Sequence, residues 1–76
     1  MEPVTLDVKG LRCPLPVLRA RKAMKPLAAG DRLEVLATDP AAVKDFQSFC
    51  ETTGHRLLEW KEEGAVFSFL IEKRAG

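Results

Sequence analysis

Twice in this chain a run of alternating apolar residues breaks off at a short link ending in proline, and a proline so placed opens a helix. Val4, Leu6 and Val8 alternate with Thr5, Asp7 and Lys9 before Gly10 and Cys13-Pro14; Leu33, Val35 and Ala37 form a second run before Thr38-Asp39-Pro40. Alternation with a period of two is the mark of a half-buried strand. Proline suits a first helical turn because the N–H it lacks has no partner there and its φ is already helical. The chain must therefore begin strand, helix, strand, helix.

Apolar spacing fills in the elements. The first helix is predicted from Pro14 to about Met24, with Val17, Leu18, Ala20 and Met24 inward and Arg19, Lys22 and Lys25 on other faces. Arg21 falls nearer the apolar stripe, where its stem can lie along the core edge. Lys25-Pro26 ends this helix, and Ala29-Gly30-Asp31 turns into a strand over Arg32–Ala37. Leu36 on that strand's polar face implies fuller cover than the first strand has. Asp39 is expected as N-cap and Pro40 at N1 of a helix from about Ala41 to Thr53, striped by Ala42, Val43, Phe46, Phe49, Cys50 and Thr53. Gly54 fits the left-handed position after it. A third strand starts at His55 or Arg56 and runs to Lys61, carrying Leu57, Leu58 and Trp60. Glu62-Glu63-Gly64 turns into a fourth, Ala65–Glu72. The order β-α-β-α-β-β predicts a two-layer α/β sandwich, both helices on one face of a four-stranded mixed sheet ending in an antiparallel hairpin.

Seventy-six residues make one domain, 1–76, which buries only about 60% of the surface of its unfolded chain. Chemistry in so small a body must be short-range: carrying or handing over a small group. The start, Met1-Glu2-Pro3-Val4-Thr5, has neither the basic leader nor the apolar core of a secretory signal, and no run reaches membrane-spanning length. The expected setting is cytoplasmic and reducing, so no structural disulfide between Cys13 and Cys50 is expected. Two cysteines and one histidine are too few for a closed zinc site.

Cys13 is the candidate nucleophile. The first turn of a helix has unpaired N–H groups and the positive end of the helix dipole, which favour a thiolate. With Cys13 as N-cap, Pro14, Leu15 and Pro16 are N1 to N3, and only the Leu15 N–H is left to reach the sulfur. The bias of a pre-proline residue away from helix leaves a second register open, with the regular helix delayed to Pro16. Between Val8 and Gly30 the chain holds Lys9, Arg12, Arg19, Arg21, Lys22 and Lys25 and no carboxylate, although the net charge is only +1. A thiol of pKa about 8.5 is a few per cent ionised at neutral pH, and a fall of about two units would make thiolate the major form. Against this stands the plain alternative of a small half-buried cysteine that happens to precede a proline.

Cys50 reads as a resolving thiol or, beside Phe46 and Val43, as a small core residue. His55 reads as a base near Cys13 or as a residue at a strand entrance. An N-cap role accounts for Asp39, and Asp45 reads as a solvated helix residue. Direct RNA binding is disfavoured by the near-zero net charge and by aromatics in core-like alternation. A non-catalytic interaction or regulatory module, docking through the first helix and its basic rim, is the third alternative.

The pattern Leu6-Asp7, Gly10, Cys13-Pro14-Leu15-Pro16, Gly30, Leu33, Val35, Asp39-Pro40, Asp45 and Gly54-His55 resembles the TusA-type, also called SirA-type, sulfur-carrier proteins across nearly the whole chain. The resemblance implies the same sandwich, and a Cys13 that accepts sulfane sulfur as a transient persulfide, with no other cofactor. It implies a sulfurtransferase relay between a persulfide donor, such as a cysteine desulfurase or rhodanese, and an acceptor protein. The end point is tRNA thiolation in one branch, and sulfur oxidation or molybdenum-cofactor pathways in others. Leu15 stands where the tRNA-thiolation branch often has glutamate, which bears on partner choice and not on the cysteine chemistry. Arg12, Pro14, Pro16, Arg19 and Lys22 are the expected supporting and docking residues, on a monomer that touches neither nucleic acid nor membrane.

Overall fold

In the computed structural model, which describes residues 2–75, the elements follow in the expected order: β1 Val4–Asp7, α1 Leu15–Met24, β2 Arg32–Ala37, α2 Ala42–Thr53, β3 Arg56–Glu63 and β4 Val66–Glu72. The sheet order is β1-β2-β4-β3, with β1 parallel to β2 and β4 antiparallel to both its neighbours. Each helix is a crossover between strands of the same direction, and both crossovers step the same way along the sheet. Right-handed crossovers then put both helices on one face.

Leu33, Val35 and Ala37 from β2 and Phe67, Phe69 and Ile71 from β4 line that face and are buried. From α2 the buried residues are Ala42, Phe46, Phe49 and Cys50, with the Phe46 ring 4.7 Å from that of Phe69. From α1 they are Pro16, Ala20 and Met24, four residues apart. That repeat overrides the expected stripe: at about 100° per residue Leu18 lies some 200° from Pro16, and it is exposed rather than packed. Leu36, on the opposite face of the sheet, is half-buried.

The element edges differ from the sequence reading in ways that bear on the site. Pro14, not Cys13, is the N-cap of α1, and Leu15 is its first residue. Ala41, not Asp39, is the N-cap of α2, so Pro40 lies before the helix. β3 and β4 meet at a two-residue link, Gly64-Ala65, two residues later than expected at the β3 end. Gly64 there has φ 62°, which a tight hairpin link favours. At its other end the hairpin is bulged between Leu57 and Glu59.

Lys73, just past β4, fastens the chain end. Its ammonium donates to the Met24, Lys25 and Leu27 carbonyls, a cation on the negative end of α1. Among the described residues no helix is long and apolar enough to cross a membrane.

Candidate functional site: an exposed thiol at the seam of two helices

Because β1 and β2 are parallel neighbours, the loops leaving their C-terminal ends lie side by side. Three hydrogen bonds tie them. The Val8 N–H donates to the Leu36 carbonyl at 2.8 Å, prolonging the parallel ladder past β1. The Gly10 N–H, at φ 84°, donates to Thr38 Oγ1 at 2.9 Å. The Cys13 N–H donates to Asp39 Oδ2 at 2.6 Å, while Asp39 Oδ1 accepts from the Ala41 N–H at 3.0 Å. Asp39 thus turns the chain into α2 with one oxygen and holds the cysteine backbone with the other, a second task that an N-cap reading misses. Its pKa lies below the ordinary carboxylate value, first through the Cys13 N–H, then the Ala41 N–H, with the Arg12 charge adding to both.

From this anchored backbone the Cys13 side chain opens onto a surface cleft of about 230 Å³ where α1 meets α2. Pro14, Val17 and Arg21 line it from one side, and Asp45, Ser48, Phe49 and Thr52 from the other. Positions 14, 17, 21 and 45, 48, 52 share the spacing three then four, so each set is one helix face. The Arg21 guanidinium carbon sits 5.6 Å from the centroid of the Phe49 ring, which keeps this cation at the cleft with its stem on the core edge.

The thiol is exposed, as expected, but the helix N–H expected at its sulfur is engaged elsewhere. The Leu15 N–H that was to reach the sulfur donates instead to the Arg12 carbonyl at 2.9 Å, and Pro16 has no N–H to give. The pKa of Cys13 stands above the ordinary thiol value, foremost because Asp45 accepts the S–H hydrogen bond, then through partial desolvation and the negative charges of Asp45 and Asp39. Segregated cations in the sequence do not outweigh two carboxylates brought across from the second loop and helix. Asp45, half-buried in the first turn of α2, is therefore a site residue that the sequence reading took for a solvated one. The signal available was its spacing to Ser48 and Thr52, a polar stripe beside an apolar one.

The remaining candidates sit in different surroundings. Arg12 and Pro14 are exposed beside Cys13, and Arg19 and Lys22 are exposed on α1 without lining the cleft. Pro16 is fully buried, so it shapes the core and cannot meet a partner. Leu15 and Leu18 are 43% and 52% exposed and give the α1 surface an apolar centre among those cations. Cys50 is buried and burial pushes its thiol up to about 11, the behaviour of a core residue and not a resolving thiol. His55 is at the far end of α2, outside the cleft; its Nδ1 accepts the Arg74 N–H at 3.0 Å and its ring faces Phe49 at 5.7 Å. Burial, with Lys73 and Arg74 nearby, lowers its pKa.

Comparison with known proteins bears on what such a site is for. Residues 4–73 match the family model described as Sulfurtransferase TusA. The chain belongs to the TusA family. Among its curated relatives is the sulfur carrier protein TusA of Allochromatium vinosum, 54% identical over 68 residues that cover 90% of each protein. Another is the sulfur carrier protein TusA of Pseudomonas entomophila, 45% identical over 71 residues, 93% of this chain and 89% of the relative. The crystal structure of a SirA-like protein from Desulfitobacterium hafniense superposes with a TM-score of 0.82 at 30% identity, covering 93% of this chain and 97% of that one. The TusA fold of two helices on a four-stranded mixed sheet is thus shared by this chain and that SirA-like neighbour.

Proposed function

We propose that this chain is a sulfur carrier that takes up one sulfane sulfur on Cys13 as a persulfide and passes it to an acceptor protein. The observation that carries the reading is the placement of Cys13: an exposed free thiol on a loop whose backbone is tied to Asp39, opening on a cleft at the surface. The relatives named as sulfur carriers point the same way.

In the loading step the Cys13 sulfur bonds to the outer sulfur of a donor persulfide. The donor's S–S bond breaks with its electron pair on the donor cysteine, which takes up the proton that Cys13 gives off. Unloading is the same exchange with an acceptor cysteine as attacker, so no oxidant or reductant is consumed. The donor is a protein of the cysteine desulfurase or rhodanese kind. Donor and acceptor dock on the α1 face, where Leu15 and Leu18 supply exposed apolar surface and Arg12, Arg19 and Lys22 steer an acidic rim. Which acceptor docks decides whether the sulfur enters tRNA thiolation or another branch of sulfur metabolism.

The test is to incubate the protein with a cysteine desulfurase and cysteine and measure its intact mass. The expected result is a gain of one sulfur that reductant removes and that Cys13→Ser abolishes while Cys50→Ala keeps it. A folded protein that gains no sulfur overturns the reading.

A further inference from the structure

Two exposed patches of this chain complement each other. On α1, Leu15, Leu18 and Lys22 share the spacing three then four and so one helix face, with Arg12 and Arg19 beside them. Leu15 and Leu18 are about half exposed, and no carboxylate stands between Val8 and Gly30. The second patch is the free edge of β3, the outermost strand beyond β4. Leu58 and Trp60 are 37% and 41% exposed there, among the exposed carboxylates Glu59, Glu62 and Glu63. The two cations of that strand have carboxylates beside them: Lys61 Nζ lies 3.3 Å from Glu63, and the Arg56 guanidinium 3.9 Å from Glu72. Trp60 is backed by the Phe69 ring, stacked at 6.4 Å with 27° between the planes. An aromatic side chain already held in place loses little freedom when a partner covers it.

One molecule cannot bring these patches together. α1 packs on β2 and α2, and α2 packs on β3 and β4, so α2 stands between the basic face and the acidic edge. We propose that two copies of this chain associate head to tail, the basic α1 face of one laid on the acidic β3 edge of the other. The leucines of one patch then meet Leu58 and Trp60 of the next copy, and the cations around them meet Glu59 and Glu62. Charges on an edge strand also discourage strand-to-strand pairing, but a helix laid on that edge uses none of the ladder's hydrogen bonds. Two apolar side chains on each surface make a small contact, in the class of transient complexes that bury less than about 1,200 Å². The contact stands apart from the sulfur-carrier reading, whereas its consequence rests on it: the α1 face it covers is the one on which donor and acceptor dock, so partner and second copy compete.

The experiment is sedimentation equilibrium in a Cys13→Ser background, which excludes a disulfide-linked dimer, at protein concentrations from about 10 μM to 1 mM. The expected result is an average mass that climbs above the monomer with concentration in about 0.1 M salt and falls back toward it in about 1 M, where charges are screened within about 3 Å. Leu18→Glu, which spoils the α1 face, and Trp60→Ser, which spoils the β3 edge, should each remain monomeric, with circular dichroism to check the fold. Glu59→Gln with Glu62→Gln, at exposed positions, repeats the edge test if Trp60→Ser unfolds. An equimolar mixture of the face variant and the edge variant keeps one intact patch of each kind, so it should form dimers and nothing larger. A wild type that is monomeric throughout, an association that either variant leaves unchanged, or a mixture that stays monomeric overturns the proposal. Failure to load sulfur from a desulfurase overturns the parent reading and leaves the sedimentation result standing.

Discussion

Arg21 and Phe49 are the two residues that give the cleft its wall, and their coupling can be measured. Phe49 is buried, with its ring 6.2 Å from Phe46 in an edge-on arrangement and beneath the Arg21 guanidinium. Phe49→Leu keeps most of the apolar volume but removes the ring edge contact, worth about 0.5–1.5 kcal/mol, and the cation's partner, worth about 0.5–1 kcal/mol. Arg21→Met keeps an apolar stem over the ring and removes the second contribution alone. The single changes together should then count the cation contact twice, and the double variant should be more stable than their sum predicts by about 0.5–1 kcal/mol. In a domain of this size that is roughly 2–8 °C in melting temperature, against a total stability of about 4–11 kcal/mol. Urea unfolding followed by the fluorescence of Trp60, the only tryptophan, gives all four values. Effects that add within about 0.3 kcal/mol would show that the ring does not hold the guanidinium at the cleft.

Three further outcomes follow. Because the pKa of His55 is lower in the folded protein than its unfolded 6.5, the unfolded state binds the proton more tightly, so stability falls as pH drops below that value toward the folded pKa; thermal melts between pH 7.5 and 5 should show this, and His55→Gln should flatten it. Asp39→Ala leaves the Cys13 and Ala41 N–H groups without their acceptor, so hydrogen exchange at both amides should quicken, and in the wild type the same should happen only in acid, as pH falls through the lowered Asp39 pKa. Cys50→Ala should cost about 1 kcal/mol in urea unfolding and leave Cys13 alkylation unchanged, because a buried thiol of pKa about 11 takes no part in exchange.

What the sequence made legible was whatever depends on neighbours along the chain. A helix after each proline-bearing link, the alternation of Leu33, Val35 and Ala37, and Gly54 with φ 83° each carry their own local cause. Cys13 as the exposed thiol was legible for the same reason. The errors arose where the fold brings distant segments together. Asp39 and Asp45 reach Cys13 only because β1 and β2 are parallel neighbours, and they reverse the electrostatics that the run of lysines and arginines from Lys9 to Lys25 implies. Leu18 looked like a core residue until Pro16 set the buried repeat, and Lys73 gave no hint that it closes the end of α1 from the other end of the chain.

The central claim is that Cys13 carries the sulfur, and the most direct measurement follows the atom itself. Cysteine labelled with radioactive sulfur is supplied through a desulfurase, and the carrier is then isolated, alkylated without reductant and mapped by peptide. The account predicts label confined to the peptide containing Cys13, released by dithiothreitol and transferable to a fresh acceptor thiol. Label on the Cys50 peptide, or a Cys13 peptide that stays unlabelled while the desulfurase turns over, would contradict it.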